Sequence, residues 1–188
     1  VTVPRRFFPD NTVLINFTLI DRQDLLTWFL RGAGAWTIAI ARECEKSAMV
    51  QDLGGMDYWS SLLSTPLVPT PVELVDSKTI AERMRKPGET APAKHMGEAE
   101  TIAVITRRQI DAVFLTDDHD AARTAIAESI PVASTTKILA LAEAKDRLLH
   151  AEARQCLARL RNFDRVLGNP PSIANYDAHV EKLKQNMR

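Results

Sequence analysis

Hydrophobic positions along the chain fall into short unbroken runs and longer stretches with helical spacing. The runs at 6–10, 112–116 and 131–134 read as short buried strands. After the first run, Thr12 is expected to cap a helix whose apolar face is Val13, Leu14, Phe17 and Leu19 or Ile20. Asp21 is expected to cap a second helix over 23–30, closed by Gly32 and Gly34. A brief strand or turn at 35 leads into a helix through Met49, which Gly54-Gly55 breaks, and 57–63 form another short helix. Pro66, Pro69 and Pro71 mark 64–72 as a connection. Val72 to Val75 is a candidate strand, and a helix follows over 77–86 with Asp76 or Ser77 as its cap. A loop is expected at 87–92, and further helices at 97–108, 119–129, 136–146, 151–161 and 175–186. Strands alternating with helices predict an α/β fold around a mainly parallel sheet. The division expected is one domain over 1–160 and a C-terminal helical appendage over 161–188.

Composition narrows the partners more than the fold. The 188 residues are 45% hydrophobic, enough for a sizeable core. Lys and Arg number 24, and so do Asp and Glu, so the net charge is zero. A polyanion must then be held by local cations and a metal, not by a general positive field. Cys44 and Cys156 have no metal-binding spacing and read as reduced, partly buried thiols. No stretch approaches the roughly 18 apolar residues of a membrane span. No long apolar stretch follows Val1-Thr2-Val3-Pro4-Arg5-Arg6, so a cytoplasmic location is expected.

The acidic residues carry the chemistry. Asp10 ends the first strand, and Asp117-Asp118 follow the run Ala112 to Thr116. Glu43 lies within an apolar helix, and Glu98 and Glu100 open another. Carboxylates leaving parallel strands gather at one sheet edge, where α/β sites form. Gathered carboxylates repel one another unless a cation neutralises them, which points to a divalent-metal site and phosphoryl chemistry. Each acid also has a plainer use: Asp10 as a helix cap, Asp117, Asp118 and Asp120 toward a helix dipole, Glu43 and Glu45 on a solvated helix face.

The order of these stations resembles the PIN-domain family of metal-dependent nucleases, which includes the ribonuclease toxins of toxin–antitoxin pairs. The residues that carry the resemblance are Pro9-Asp10-Asn11-Thr12-Val13-Leu14-Ile15, Glu43, Gly97-Glu98-Ala99-Glu100-Thr101-Ile102-Ala103, and Phe114 through Arg123. Ile130 to Thr135 and the helix from Ile138 to Ala144 are also similar to one subgroup. The resemblance implies a three-layer α/β/α sandwich with a mainly parallel sheet. It implies Mg²⁺ or Mn²⁺ bound by carboxylates, and hydrolysis of a phosphodiester, usually in RNA. Asp10, Glu43, Glu98 and Asp118 match the catalytic acids. Glu100, Asp117 and Asp120 are further candidate ligands, and Glu45 is a substitute for Glu43. An antitoxin protein is the partner implied.

At the third station, the helical period puts Glu98 with Thr101, Ile102 and Ile105 on the expected buried side, and Glu100 roughly 200° away. Thr116 is a candidate phosphate contact or cap. Arg83, Arg85 and Lys86, with Lys94, precede the acidic helix and could contact phosphates or form a solvated face. His119 is expected to be exposed. Leu14, Phe17, Leu25, Trp28, Phe29, Trp59, Leu62 and Leu63 divide between core and a homodimer patch. Two rival readings are a non-catalytic PIN-like module binding RNA or protein, and a haloacid-dehalogenase-like phosphatase. The phosphatase needs an Asp two residues after the first; Thr12 stands there.

Overall fold

The structure, a computed structural model, describes residues 5–85, 95–165, 167 and 173–187. Lys86, Lys94 and the expected loop at 87–92 lie outside the described residues. Three strands, β1 (Arg6–Pro9), β2 (Ala112–Leu115) and β3 (Val132–Ala133), pair in parallel in that order. Phe8 stands opposite Phe114, and Phe114 opposite Val132.

Side chains of a strand alternate between its faces, and that alternation builds two cores. Phe8, Ala112 and Phe114 enter one core; Leu115 and Ala133 enter the other, with Phe7 and Val113 packed against it. The smaller core is closed by α5 (Pro71–Met84), α6 (Met96–Arg107) and α7 (His119–Ala127), through Ile80, Met84, Ile102 and Ala121. The larger takes α1 (Asn11–Leu19), α2 (Gln23–Leu30), α3 (Ile38–Ala48) and α4 (Asp57–Leu62), and also α8 (Thr135–Ala144), α9 (His150–Asn162) and α10 (Tyr176–Asn186). Phe17, Trp59 and Tyr176 are fully buried there. The result is an α/β/α fold around a three-stranded parallel sheet. The C-terminal helix α10 buries Tyr176 and Val180 in the larger core.

Several local expectations are corrected. Asp10, not Thr12, caps α1: its carboxylate accepts from the Val13 amide at 2.8 Å, and the Thr12 hydroxyl donates to the same oxygen. Asp21 does not cap α2; it has a φ of +56°, and the cap position falls to Arg22 without a side-chain bond. Val72 to Val75 is helix, not strand. The Thr70 hydroxyl and the Glu73 carboxylate form a reciprocal cap, with Pro71 in the first turn, so α5 starts before Asp76 and Ser77. Of the apolar residues offered for a dimer, Leu14, Phe17, Leu25, Trp59 and Leu63 are core. Trp28 and Phe29 are half-buried, and Leu62 is exposed.

Candidate metal and phosphodiester site

The carboxyl ends of β1 and β2 are joined by the Asp10 amide, which donates to Leu115 O at 2.9 Å. Asp10 and Thr116 therefore leave the sheet side by side, and the Thr116 hydroxyl donates to Asp10 Oδ2. Asp10 is 1% exposed, and burial pushes its carboxyl from 3.8 up to about 7. Hydrogen bonds from Thr116, Thr12 and the Val13 amide pull the other way. Asp118 caps α7, accepting from the Ala121 amide at 2.7 Å, and its own amide donates to Thr116 Oγ1 at 3.0 Å. One threonine hydroxyl thus links the first and last acids.

Glu98 opens α6 and is half-buried. Its carboxyl is raised to about 8, first by burial and then by the charges of Asp10, Glu43 and Asp118. Glu43, on α3, is raised by burial, with Lys46 opposing and Glu100 adding to the effect. A Cβ at Gly97 would lie 2.5 Å from Glu43 Oε1 and 2.8 Å from Ile40 Cδ1. Glycine at that position lets the Glu43 carboxylate approach the start of α6, beside Glu98. Four elements thus bring Asp10, Glu43, Glu98 and Asp118 into one electrostatic neighbourhood.

The other candidate acids have separate partners. Glu100 is the more buried acid of its pair, 6% exposed, contrary to the periodicity argument. Its Oε1 accepts from the Ala39 amide at 3.0 Å and so satisfies the start of α3. Asp117 is buried; it accepts from the Thr135 amide at 3.0 Å, the Thr135 hydroxyl, and Asn16 Nδ2 at 2.8 Å. These bonds tie the ends of β2 and β3 to α1. Asp120 pairs with Arg123 at 2.9 Å. Glu45 and His119 are exposed.

Arg83 pairs with Glu128 at 3.3 Å. Glu128 follows the last turn of α7, at the opposite end from Asp118, so Arg83 is not brought to the acidic edge. Arg85 ends α5 and is half-buried.

Two residues at this edge escaped sequence reasoning. Asn16 is fully buried in α1 and joins Asp117 to Arg165, whose Nε donates to Asn16 Oδ1 at 2.7 Å. A polar residue inside the apolar run Val13 to Leu19 was the signal for Asn16. Arg165 had no such signal. A cavity of about 330 Å³ opens here, lined by Thr12, Asp117, Asp118, His119, Asp120, Asp164 and Arg165.

The donors are all carboxylate oxygens, which suits Mg²⁺ or Mn²⁺ better than zinc. Among the described residues, no three His, Cys, Asp or Glu side chains form a ready-made group for an ion. A hydrated Mg²⁺ needs only one or two direct carboxylates, with waters bridging to the rest. The buried Asp10 and the half-buried Glu98, which Asp10 repels, suit such an ion, because a cation relieves both burial and repulsion.

A family model described as a PIN domain matches residues 8–170. No curated protein and no solved structure matches the chain. Among the described residues, no helix is long and apolar enough to cross a membrane. PIN domains are generally nucleases that act on nucleic acid and typically depend on divalent metal ions. The order of acids, the parallel sheet and the matched span agree: this chain belongs to the PIN-domain family.

Proposed function

We propose that the protein is a Mg²⁺- or Mn²⁺-dependent endoribonuclease. The observation that carries the reading is the electrostatic coupling of Glu98 to Asp10, Glu43 and Asp118 at the carboxyl edge of the sheet. Asp10 and Asp118 would hold the ion directly, and Glu43 and Glu98 directly or through water. A bound ion would supply Lewis acidity there, activating water and offsetting charge on the phosphoryl oxygens. Thr116 fixes the Asp10 carboxylate and the Asp118 backbone, so both acids keep their places as substrate binds. Glu100, Asp117 and Asp120 support the site: Glu100 holds α3, Asp117 holds α1 and α8, and Asp120 faces the cavity.

Single-stranded or looped RNA is the favoured substrate, because splayed backbone can enter a narrow acidic cleft. A toxin role in the cytoplasm, with an antitoxin partner and a homodimeric state, completes the reading. Cleavage of single-stranded RNA with Mn²⁺, measured beside duplex DNA, tests the substrate. Preference for duplex DNA overturns the ribonuclease assignment and keeps the metal-nuclease one.

The lack of a ready-made three-carboxylate group among the described residues favours a second reading, a non-catalytic PIN-like module. Calorimetric titration with Mn²⁺ separates the two. Saturable binding that Asp10→Asn weakens supports the nuclease, and no binding supports the module.

A further inference from the structure

Arg165 is the only Lys or Arg among the described residues lining the acidic cavity. Its Nε is committed to Asn16 Oδ1. Among the described residues, no carboxylate lies within ion-pair distance of its guanidinium, and no acceptor engages its terminal nitrogens. The arginine of this acidic cavity is thus hydrogen-bonded by a neutral amide, and Asp117 and Asp10 act on it only through space.

That arrangement is built. Asn16 is fully buried, and its amide nitrogen is bound by Asp117 and Thr135, leaving Oδ1 aimed at Arg165. Asp117 is bound in turn by the Thr135 amide. The guanidinium is half-buried. A half-buried charge that makes no direct ion pair keeps part of its burial cost, which the oxygens of a ligand would offset. The fork of an arginine matches two oxygens of a phosphate, and Asp118 lines the same cavity.

We propose that Arg165 is a substrate-binding residue that grips a backbone phosphate in the cavity beside Asp118, with Asn16 as its positioning residue. The proposal rests on the nuclease reading for its substrate class. The scissile phosphate would lie at the acidic edge beside Asp118, and Arg165 would hold that phosphate or an adjacent one from the cavity side. The grip comes from a segment beyond the last helix of the expected 1–160 domain, so truncation there would remove it.

The test uses the full chain and a labelled single-stranded RNA. Binding is measured on the Asp10→Asn background across a KCl series, with and without Arg165→Ala and Arg165→Lys. Arg165→Ala should lose roughly ten- to a hundredfold in affinity, the range of one charge-assisted contact. The slope of log affinity against log salt should shrink by about 0.7. Arg165→Lys should keep the slope and lose part of the affinity, because it keeps the charge but not the fork. If Arg165→Ala does not fold, Arg165→Lys carries the test: its affinity must fall with the slope unchanged. On the otherwise wild-type chain, Arg165→Ala should raise KM more than it lowers kcat.

Affinity and slope that do not depend on residue 165 overturn the proposal, even if the wild type cleaves RNA. So does an Arg165→Ala protein that binds Mn²⁺ more tightly and cleaves faster, which would make Arg165 an internal counter-ion. RNA binding that depends on Arg165 in a wild type without cleavage upholds the grip and removes the nuclease reading.

Discussion

Replacing Asp10 by Asn should stabilise the metal-free protein at pH 8 but not at pH 5. Burial moves the Asp10 carboxyl from 3.8 to about 7. Between those values the folded chain holds a proton that the unfolded chain has released. Stability therefore falls as pH rises through this window, and the full cost is present above about 7. At about 1.4 kcal/mol per pH unit, the interval sets a ceiling of about 4 kcal/mol. Asn removes the charge but turns one acceptor into a donor facing the Thr116 hydroxyl, at a cost of about 1–2 kcal/mol. A net gain of about 2 kcal/mol corresponds to about 4–8 °C in Tm for a chain of this size. The assay is thermal unfolding of both proteins in EDTA at pH 8 and pH 5. At pH 5 the parent carboxyl is protonated, and the variant should be equal or less stable. Mn²⁺ at pH 8 should then raise the parent's Tm by mass action and leave the variant nearly unmoved. A variant destabilised equally at both pH values, or a parent that Mn²⁺ does not shift, would refute the reasoning.

Other outcomes follow from particular contacts. Gly97→Ala should cost about 1–3 kcal/mol and impair metal binding, because its Cβ would displace the Glu43 carboxylate and Ile40; calorimetry and unfolding read both effects. Glu100→Ala should cost about 1 kcal/mol through the lost bond to the Ala39 amide, and denaturant unfolding measures it. Arg83→Ala should leave KM for RNA within about twofold, since Arg83 pairs with Glu128 at the far end of α7 and a uniform-binding role would instead raise KM.

The legible part of the site was what the chain writes locally. Asp10 and Asp118 stand where a short apolar run gives way to a helix, and such punctuation is visible in sequence. The parallel sheet followed from the same alternation of runs. Asn16 and Arg165 lie 149 residues apart, and Asn16 and Asp117 lie 101 apart. No local pattern reports such pairings. Glu98 and Glu100 show a different limit. Helical periodicity assigns faces to a helix with one buried side, but α6 buries Ala99, Glu100, Thr101, Ile102, Ala103, Val104 and Ile105 in succession. Periodicity therefore does not separate the two acids, and their partners do so in part: Glu100 meets the start of α3 and acts on Glu43 alone, and Glu98 meets Asp10, Glu43 and Asp118. At the start of α5, β-branched Val72 and Val75 favour a strand locally, and the reciprocal Thr70–Glu73 cap with Pro71 overrides that preference.

The central claim is that Asp10, Glu43, Glu98 and Asp118 together serve a metal-dependent cleavage. It is tested most directly by incubating a mixed single-stranded RNA pool with the wild type, Asp10→Asn, Glu43→Gln, Glu98→Gln, Asp118→Asn and Glu100→Gln. Each is assayed in Mn²⁺ and in EDTA, with folding checked by circular dichroism. Mn²⁺-dependent cleavage by the wild type is expected, with a loss of at least about a hundredfold in the four folded site variants and retained activity in Glu100→Gln. Cleavage that persists in EDTA, or that survives in folded Asp10→Asn, would contradict the account.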